Sequence, residues 1–222
     1  MIAVEGGTFT MGATEEQGSD ADPDEKPAHQ VTLSSYYIGK TEVTQELWEA
    51  VMGSSLSNFK GTNLPVEKVS WEDCQEFVSK LNALTGKNFR LPTEAEWEFA
   101  ARGGNKSRGC KYSGSNTIDD VAWYDSNSSS TTHPVATKTP NELGIYDMSG
   151  NVSEWCNDWY VGSSYTSESQ TNPTGPDSGG SLSFRVWRGG RWDKPADWCR
   201  VSDREGIYPS YRYNYLGLRL AL

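Results

Sequence analysis

The C-terminal segment of the sequence, residues 187–222, decides the fold because two strand-like ends enclose a stretch of different character. It reads WRGGRWDKPADWCRVSDREGIYPSYRYNYLGLRLAL. At its second end Leu218 and Leu220 alternate with Arg219, and a period of two is typical of a half-buried strand. Val186 and Trp187 form an apolar lead into the first end. We therefore expect two strands that hold the residues between them in place.

Tyrosines and charged residues dominate the part of the C-terminal segment between these ends. The tyrosines Tyr208, Tyr211, Tyr213 and Tyr215 are close together, with arginines and acids among and around them. Tyr and Arg are enriched in binding hot spots because each presents a large, fairly rigid surface with a polar tip. Each tyrosine could instead pack against the domain with only its hydroxyl group in water. Their density and the interspersed charges favour an exposed recognition surface.

The overall composition predicts one α+β domain with many irregular connections. The chain has 222 residues, enough to bury a sizeable core, but only 35% of them are hydrophobic. Its 9 Trp and 11 Tyr must therefore supply much of the buried area. The 22 Gly and 10 Pro indicate turns and loops rather than long helices. No internal repeat or linker divides residues 1–222, so we expect a single domain.

The charge balance and the apolar pattern argue against several classes of partner. A net charge of −10 disfavours binding to a nucleic-acid backbone or an anionic membrane. No apolar run reaches the length of a transmembrane helix, and residues 1–12 lack the features of a signal peptide. We expect a monomer that is cytoplasmic, or at the cell surface or secreted if a signal segment was trimmed. The 4 cysteines show no C-x-x-C spacing, which argues against a zinc knuckle or a thioredoxin-like pair.

Local signals predict three short helices and a few strands. Strand candidates are residues 4–12, with a glycine turn inside, and residues 31–38, whereas residues 104–139 read as loop. Side chains at the start of each predicted helix can accept hydrogen bonds from its free backbone amides. These caps are Thr44, then Ser70 with Asp73, then Thr93 with Glu96.

Seven motifs, in order along the chain, resemble the sulfatase-modifying-factor family, whose domain is that of formylglycine-generating enzyme. They are GGTFTMG at residues 6–12, KTEVT at 40–44, PV at 65–66, VSW at 69–71, RLPTEAEWE at 90–98, GIYDMSGNVSEW at 144–155 and RGG at 188–190. The resemblance covers essentially the whole chain. It implies a variant of the C-type lectin fold, with a small central antiparallel sheet, two or three peripheral helices and much loop.

The family's oxidase chemistry is not expected here, because one of its two copper-binding cysteines is missing. Formylglycine-generating enzyme oxidises a substrate cysteine with molecular oxygen and a copper ion held by two thiolates, and soft sulfur ligands favour Cu(I). Counted from Trp192, the matching positions are Lys194 and Cys199, and the motif serine is replaced by Arg191. A protonated ammonium group has no lone pair for copper. We therefore expect no catalytic residue and no copper, with Cys199 as a small buried hydrophobic side chain.

A structural calcium ion is the cofactor that the family resemblance implies. In the family the G-N-x-x-E-W motif wraps Ca²⁺, which prefers carboxylate and carbonyl oxygens. The matching ligands here are the side chains of Asp147 and Glu154 and the carbonyl groups of Gly150 and Val152. The alternative is that the two carboxylates only accept hydrogen bonds from backbone amides in the turn.

Within the same fold, the C-terminal segment resembles variable proteins that retroelements diversify. Those proteins end in R-G-G-x-W, several varied residues and C-R-V-S-x-R-x-x-x-x-P-S-x-R-x-x-x-x-G-x-R-L-A-L, a pattern that residues 188–222 fit. Adenine mutagenesis of an asparagine codon yields residue types such as Tyr, Asp, Gly and Ile, which occupy most intervening positions, including Asp203 and Gly206. Glu205 and Lys194 fall outside that set. The resemblance implies that varied positions project into solvent from an invariant frame. That frame would consist of Arg188, Gly189, Gly190, Trp192, Arg200, Leu218, Arg219 and Leu220.

The function that we expect is non-catalytic ligand binding. The ligand would be a protein, a peptide or a glycan, because a surface rich in tyrosine and acids suits all three. Two alternatives stay open: a factor that modifies or matures another protein, and a structural component of the cell envelope. His29 and His133 are the only histidines, so no His-based triad or three-histidine metal site is expected. The predicted surface consists of Asp193, Lys194, Asp197, Trp198, Asp203, Glu205, Ile207, Tyr208, Tyr211, Tyr213, Asn214 and Tyr215.

Overall fold

Short strands and short helices, joined by long irregular connections, make up the chain. The structure, a computed structural model, describes residues 1–222. The strands are β1 (Ile2–Val4), β2 (Gly7–Met11), β3 (His29–Leu33), β4 (Tyr36–Ile38), β5 (Ser153–Tyr160), β6 (Gln170–Thr171), β7 (Phe184–Arg188), β8 (Arg204–Ile207) and β9 (Leu216–Leu218). The α-helices are α1 (Gln45–Met52), α2 (Trp71–Thr85), α3 (Glu94–Ala101) and α4 (Ile118–Val121). This content confirms the predicted α+β class.

A four-stranded sheet in the order β8-β7-β5-β9 contains both ends of the C-terminal segment. Strand β7 runs antiparallel to β5 and β8, whereas β9 runs parallel to β5. The sheet is therefore mixed at this edge, where the family resemblance implied an antiparallel sheet. Parallel neighbours need a long connection, which the chain between β5 and β9 provides. Two smaller sheets pair β1 with β4, and β2 with β3 and β6.

The central sheet separates two hydrophobic cores. Successive side chains of a strand point to opposite faces, so neighbouring residues of β5 and β7 enter different cores. Trp155 and Trp187 lie in a core with buried residues of α1, α2 and β9. Cys156 and Val186 lie in the other core, with residues of β2, β3 and α3. The C-terminal segment is thus fixed to both halves of the molecule.

The helices begin where the sequence predicts. Thr44 Oγ1 accepts a hydrogen bond from the Leu47 amide, and Ser70 and Thr93 each open a complete capping box. The strand predicted at residues 31–38 is instead two strands, because residues 34–35 belong to neither and β3 and β4 pair in different sheets. Helix α4 lies within the stretch predicted as loop. None of the helices has both the length and the apolar surface that crossing a bilayer requires.

Buried arginines attach the C-terminal segment to earlier parts of the chain, and we call this set the arginine frame. Arg200 makes bonds of 2.8 and 2.7 Å to the Glu25 carboxylate. The other members and their acidic partners are Arg188 with Glu98, Arg204 with Glu94 at 2.7 and 2.8 Å, and Arg219 with Glu154 at 2.9 and 2.8 Å. All four arginines are buried, which confirms the predicted internal roles of Arg188, Arg200 and Arg219. Removing one partner from such a pair leaves a buried charge and typically costs about 3–5 kcal/mol.

Candidate functional site

Five aromatic side chains form a continuous strip on the surface of the C-terminal segment and the preceding strand. In order, the rings of this aromatic strip are Phe184, Tyr208, Tyr211, Tyr213 and Tyr215. The centroids of successive rings lie 4.6, 5.4, 5.9 and 4.8 Å apart. The first pair meets edge to face at 89°, and the last pair is stacked at 6°. Both arrangements are favourable for aromatic rings, so the rings support one another's positions.

The aromatic strip is exposed in its middle and half-buried at both ends. Tyr208 and Tyr211 expose 41% and 43% of their surface. Phe184, Tyr213 and Tyr215 are half-buried, and the two tyrosines among them pack against the core that contains α1 and α2. Both alternatives considered for the tyrosines therefore apply, each to a different part of the strip.

Arg191 lies at the Tyr215 end of the aromatic strip. Its Cζ atom is 3.7 Å from the centroid of the Tyr215 ring and 5.3 Å from that of Trp198. Its Nε donates to Asp193 Oδ1 at 2.8 Å, and the side chain is buried. The sequence marked this position only as a departure from the family's serine. Neither Arg191 nor Phe184 was predicted as part of the surface, because their ring contacts depend on residues distant in sequence.

Eleven of the twelve predicted surface residues are exposed or half-buried. The exposed ones are Asp193, Asp197, Tyr208 and Tyr211, and the half-buried ones are Lys194, Trp198, Glu205, Ile207, Tyr213, Asn214 and Tyr215. Asp203 is the exception, and its predicted exposure is wrong. Its Oδ1 accepts a bond of 3.4 Å from Arg200, its carbonyl oxygen accepts one from Arg188, and burial raises its pKa well above the usual range. Asp203 therefore packs with the arginine frame.

Gly206, which the sequence placed among the varied positions, has no room for a side chain. A Cβ atom there would lie 2.3 Å from Cγ of Tyr160. The Tyr160 ring is held in turn, because its hydroxyl donates to Asp24 Oδ2 at 2.7 Å. The Cζ atom of Arg204 also lies 4.9 Å from its centroid. The structure therefore does not allow Gly206 or Asp203 to be a varied position.

The two positions that match the family's copper-binding cysteines do not fit a copper ion. Cys199 is buried and forms no disulfide, and burial raises the pKa of its thiol well above the usual range. The Lys194 Nζ atom lies over the Trp198 ring, 4.4 Å from its centroid. A protonated thiol and an ammonium group do not provide the thiolate pair that Cu(I) prefers. The prediction that Cys199 is a small buried side chain is confirmed.

We expect a thiol-alkylating reagent at neutral pH to modify Cys110 first among the four cysteines. Cys110 is half-buried, whereas Cys74, Cys156 and Cys199 are fully buried; burial raises the thiol pKa of Cys110 too, but it moves the pKa of the other three well above the usual range. The thiolate is the reactive species. Because the three buried cysteines are less accessible and have higher thiol pKa values, we expect them to be alkylated at least about tenfold more slowly than Cys110. Peptide mapping by mass spectrometry after timed iodoacetamide treatment measures the rates. Equal labelling of Cys199 and Cys110 would contradict the burial described here.

Other donors already occupy the carboxylate of Glu154. Its Oε1 accepts from Arg219 Nη2 at 2.8 Å, and its Oε2 accepts from Arg219 Nε at 2.9 Å and Trp97 Nε1 at 2.7 Å. Calcium binding by this carboxylate would require the loss of a buried ion pair. The arrangement around Glu154 therefore does not fit a calcium ion.

Asp147, the other predicted carboxylate ligand, accepts a hydrogen bond from the Ala136 amide at 2.7 Å, as the alternative interpretation expects. Burial raises its pKa to about 6. A calcium ion held by Asp147 and the carbonyl groups of Gly150 and Val152 stays a prediction. Titration of the metal-free protein with CaCl₂ in a calorimeter tests it, with MgCl₂ as the control.

The sequence matches known proteins over its whole length. Residues 1–222 match the family described as "Sulfatase-modifying factor enzyme 1-like domain". Chaperone protein LppX of Paenibacillus barcinonensis is 34% identical over 94% of this chain and 86% of its own. A formylglycine-generating enzyme of Streptomyces coelicolor is 28% identical over 99% of this chain and 88% of its own. Three chlamydial proteins named as serine/threonine-protein kinases are matched over only 37–38% of their own length.

A solved structure gives the same result for the fold. Treponema denticola variable protein 1 superimposes with a TM-score of 0.88 at 38% identity, over 100% of this chain and 94% of that protein. This agreement confirms the fold that the sequence motifs implied. It also confirms the resemblance of the chain to a variable protein.

Proposed function

We propose, since the chain belongs to the family of sulfatase-modifying factor enzyme 1-like domains, that it is a non-catalytic member that binds a ligand. Binding takes place at the aromatic strip and the neighbouring exposed residues of the C-terminal segment. The ligand is a protein, a peptide or a glycan. The eleven predicted surface positions that are exposed or half-buried are diversified, whereas the arginine frame is constant.

The observation that best supports this proposal is the aromatic strip itself. Tyr208 and Tyr211 each expose more than two fifths of their surface, and contacts with neighbouring rings hold them in place. Rigid tyrosine side chains bury a large area on binding and lose little conformational entropy, which is why they dominate many binding sites. Asp193 is exposed and accepts from Arg191, which packs on Tyr215, so it places a carboxylate at one end of the strip.

The separation of surface from interior supports diversification. The arginine frame fixes the backbone on either side of the exposed positions through buried ion pairs. Substitutions at exposed positions away from such pairs usually change stability by less than about 0.5 kcal/mol. Treponema denticola variable protein 1 is named as a variable protein, and it shares the fold at 38% identity.

The candidate catalytic position argues against oxidase chemistry in this member. Cys199 is the one family cysteine that is present, and its thiol is buried with a raised pKa. Thiol reactivity depends on access and on the thiolate form, and the Cys199 environment suppresses both. The positions that supply chemistry elsewhere in the family are thus compatible with a purely binding role here.

Replacement of both Tyr208 and Tyr211 by alanine should abolish ligand capture and leave the protein folded. Truncation of a hot-spot tyrosine typically costs about 2 kcal/mol of binding free energy. The double variant should therefore raise the dissociation constant by at least about 100-fold. Binders are first isolated by panning the immobilised chain with a phage-displayed random-peptide library and by probing a glycan array. Surface plasmon resonance then compares their affinities for the wild type and the variant.

Tyr37→Ala provides a matched control, because Tyr37 is similarly exposed, at 48%, but lies on β4 in a different sheet. Binders that lose affinity for the double variant and keep it for Tyr37→Ala support the proposal. Binders that bind the double variant as tightly as the wild type contradict the aromatic strip as the site.

A further inference from the structure

A second recess lies away from the aromatic strip, between the end of β5, the start of α3 and the connection that contains residues 170–176. Its volume is about 660 Å³. Small-molecule sites are typically about 300–1,000 Å³, so this cavity has the size of one. None of the twelve predicted surface residues lines it. A role for this cavity is therefore independent of ligand capture by the C-terminal segment.

A half-satisfied carboxyl group lines the cavity. Asp158, at 3% exposure, accepts a hydrogen bond on Oδ2 from the Glu94 amide at 3.0 Å, and its Oδ1 has no hydrogen-bond partner in the protein. Gly175 lies directly against this group, since a Cβ atom there would be 2.9 Å from Oδ1. A carboxylate oxygen that no protein group binds can accept a hydrogen bond from water or from a ligand that enters the cavity.

The charges around the cavity select for a cation. No lysine or arginine lines it, and the other carboxylate, Glu94, is already paired with Arg204 through bonds of 2.7 and 2.8 Å. The His29 ring donates from Nδ1 to the Pro27 carbonyl oxygen at 3.2 Å and makes no ion pair with Asp158. Asp158 is thus the one acid of the cavity without a cationic partner.

We propose that this cavity binds a small organic cation with a primary ammonium group, which donates to Asp158 Oδ1. Met11, Ala95 and Val161 line the cavity and offer apolar contact for a short alkyl chain. A metal ion is disfavoured, because the His, Cys, Asp and Glu side chains of the cavity do not bring three ligand atoms together. The one group of three that does is Asp22, Glu25 and Asp203, and Arg200 already supplies the positive charge there.

Burial, followed by repulsion from Glu94, raises the pKa of Asp158 to about 8. Below this pH the carboxyl group is protonated, and an incoming ammonium ion must displace that proton. The charges of Glu96 and Arg204 also shift the pKa of Asp158. The number of protons released on binding is therefore a property of the whole site and not of Asp158 alone. The apparent affinity should therefore rise about tenfold per pH unit from pH 6 to about 8 and then level off.

The test uses n-butylammonium chloride as the probe, with n-butanol as the neutral analogue and sodium butyrate as the anionic one. Isothermal titration calorimetry in two buffers of different ionisation enthalpy reports both the affinity and the protons released. At pH 7 we expect saturable binding at millimolar concentrations with release of close to one proton, and no binding of either analogue. Asp158→Asn should weaken binding at least about tenfold and abolish proton release.

Glu168→Gln is the matched control, because Glu168 is an exposed acid in the same connection that does not line the cavity. This variant should bind the probe like the wild type. The proposal is overturned by the absence of binding to the wild type at about 20 mM probe, or by equal binding of butanol. Binding to the wild type without proton uptake or release at pH 7 also overturns it, and that measurement does not depend on the folding of any variant.

Discussion

Replacement of Arg219 by leucine is expected to lower the free energy of unfolding by about 3–5 kcal/mol, because Glu154 would stay buried without its cation. Arg219 also donates to the carbonyl oxygens of Gly39 and Tyr146, both at 2.8 Å. Burial keeps the pKa of nearby Glu42 well above the usual range, and Arg219 is one of the groups that counteract this. For a chain of this length the loss corresponds to a fall in melting temperature of about 10 °C. Urea denaturation and calorimetry measure both quantities.

Arg212→Leu is the control for that experiment. Arg212 makes the same kind of two-bond contact to Asp73, at 2.6 and 2.7 Å, but its side chain is 43% exposed. Exposed ion pairs contribute less than about 1 kcal/mol because water and salt screen them. Equal losses of unfolding free energy in the two variants would contradict the expectation that the buried ion pairs of the arginine frame stabilise the protein more than an exposed pair does.

Replacement of Gly206 by alanine is expected to destabilise the protein by about 2 kcal/mol or more, although only one methyl group is added. The methyl group would overlap the Tyr160 ring, at 2.3 Å from Cγ and 2.4 Å from Cδ1. Overpacking of this kind usually costs about 1–3 kcal/mol, because side chains must leave their preferred rotamers. The Tyr160 hydrogen bond to Asp24 limits how far the ring can move.

The comparison for Gly206→Ala is a larger change at a position that the structure leaves open. Tyr211→Asn removes most of an exposed side chain and should change the free energy of unfolding by less than about 0.5 kcal/mol. Thermal denaturation of the two variants side by side gives the result. If Tyr211→Asn destabilised the protein more than Gly206→Ala, the proposed division between varied and constant positions would be wrong.

The parts of the fold that the sequence predicted correctly depend on local chemistry. The capping residues Ser70, Asp73, Thr93 and Glu96 lie within a few residues of the amides that they bind, so spacing alone located α2 and α3. The order of the family motifs gave the overall fold. The mixed sheet was missed, because the direction of β9 relative to β5 depends on the path of the whole connection between them.

Exposure was predicted correctly at eleven of the twelve surface positions and wrongly at Asp203, whose side chain is buried. Nothing in the sequence near Asp203 shows that the side chains of Arg188 and Arg200 reach it. Gly206 resembles a member of the varied set by residue type, and only the position of Tyr160 shows that it is required. The cavity at Asp158 was not predicted at all, since its walls come from residues as distant as Met11 and Gly175.

Deep sequencing of the 3′ end of this gene across many cells of the source population tests the central claim most directly. We expect substitutions that trace to template adenines and concentrate at the eleven predicted surface positions that are exposed or half-buried, with the tyrosines of the aromatic strip among them. Asp203, Gly206 and the arginine frame should stay constant. A uniform segment, or substitutions spread evenly over buried and exposed positions, would contradict a diversified binding surface.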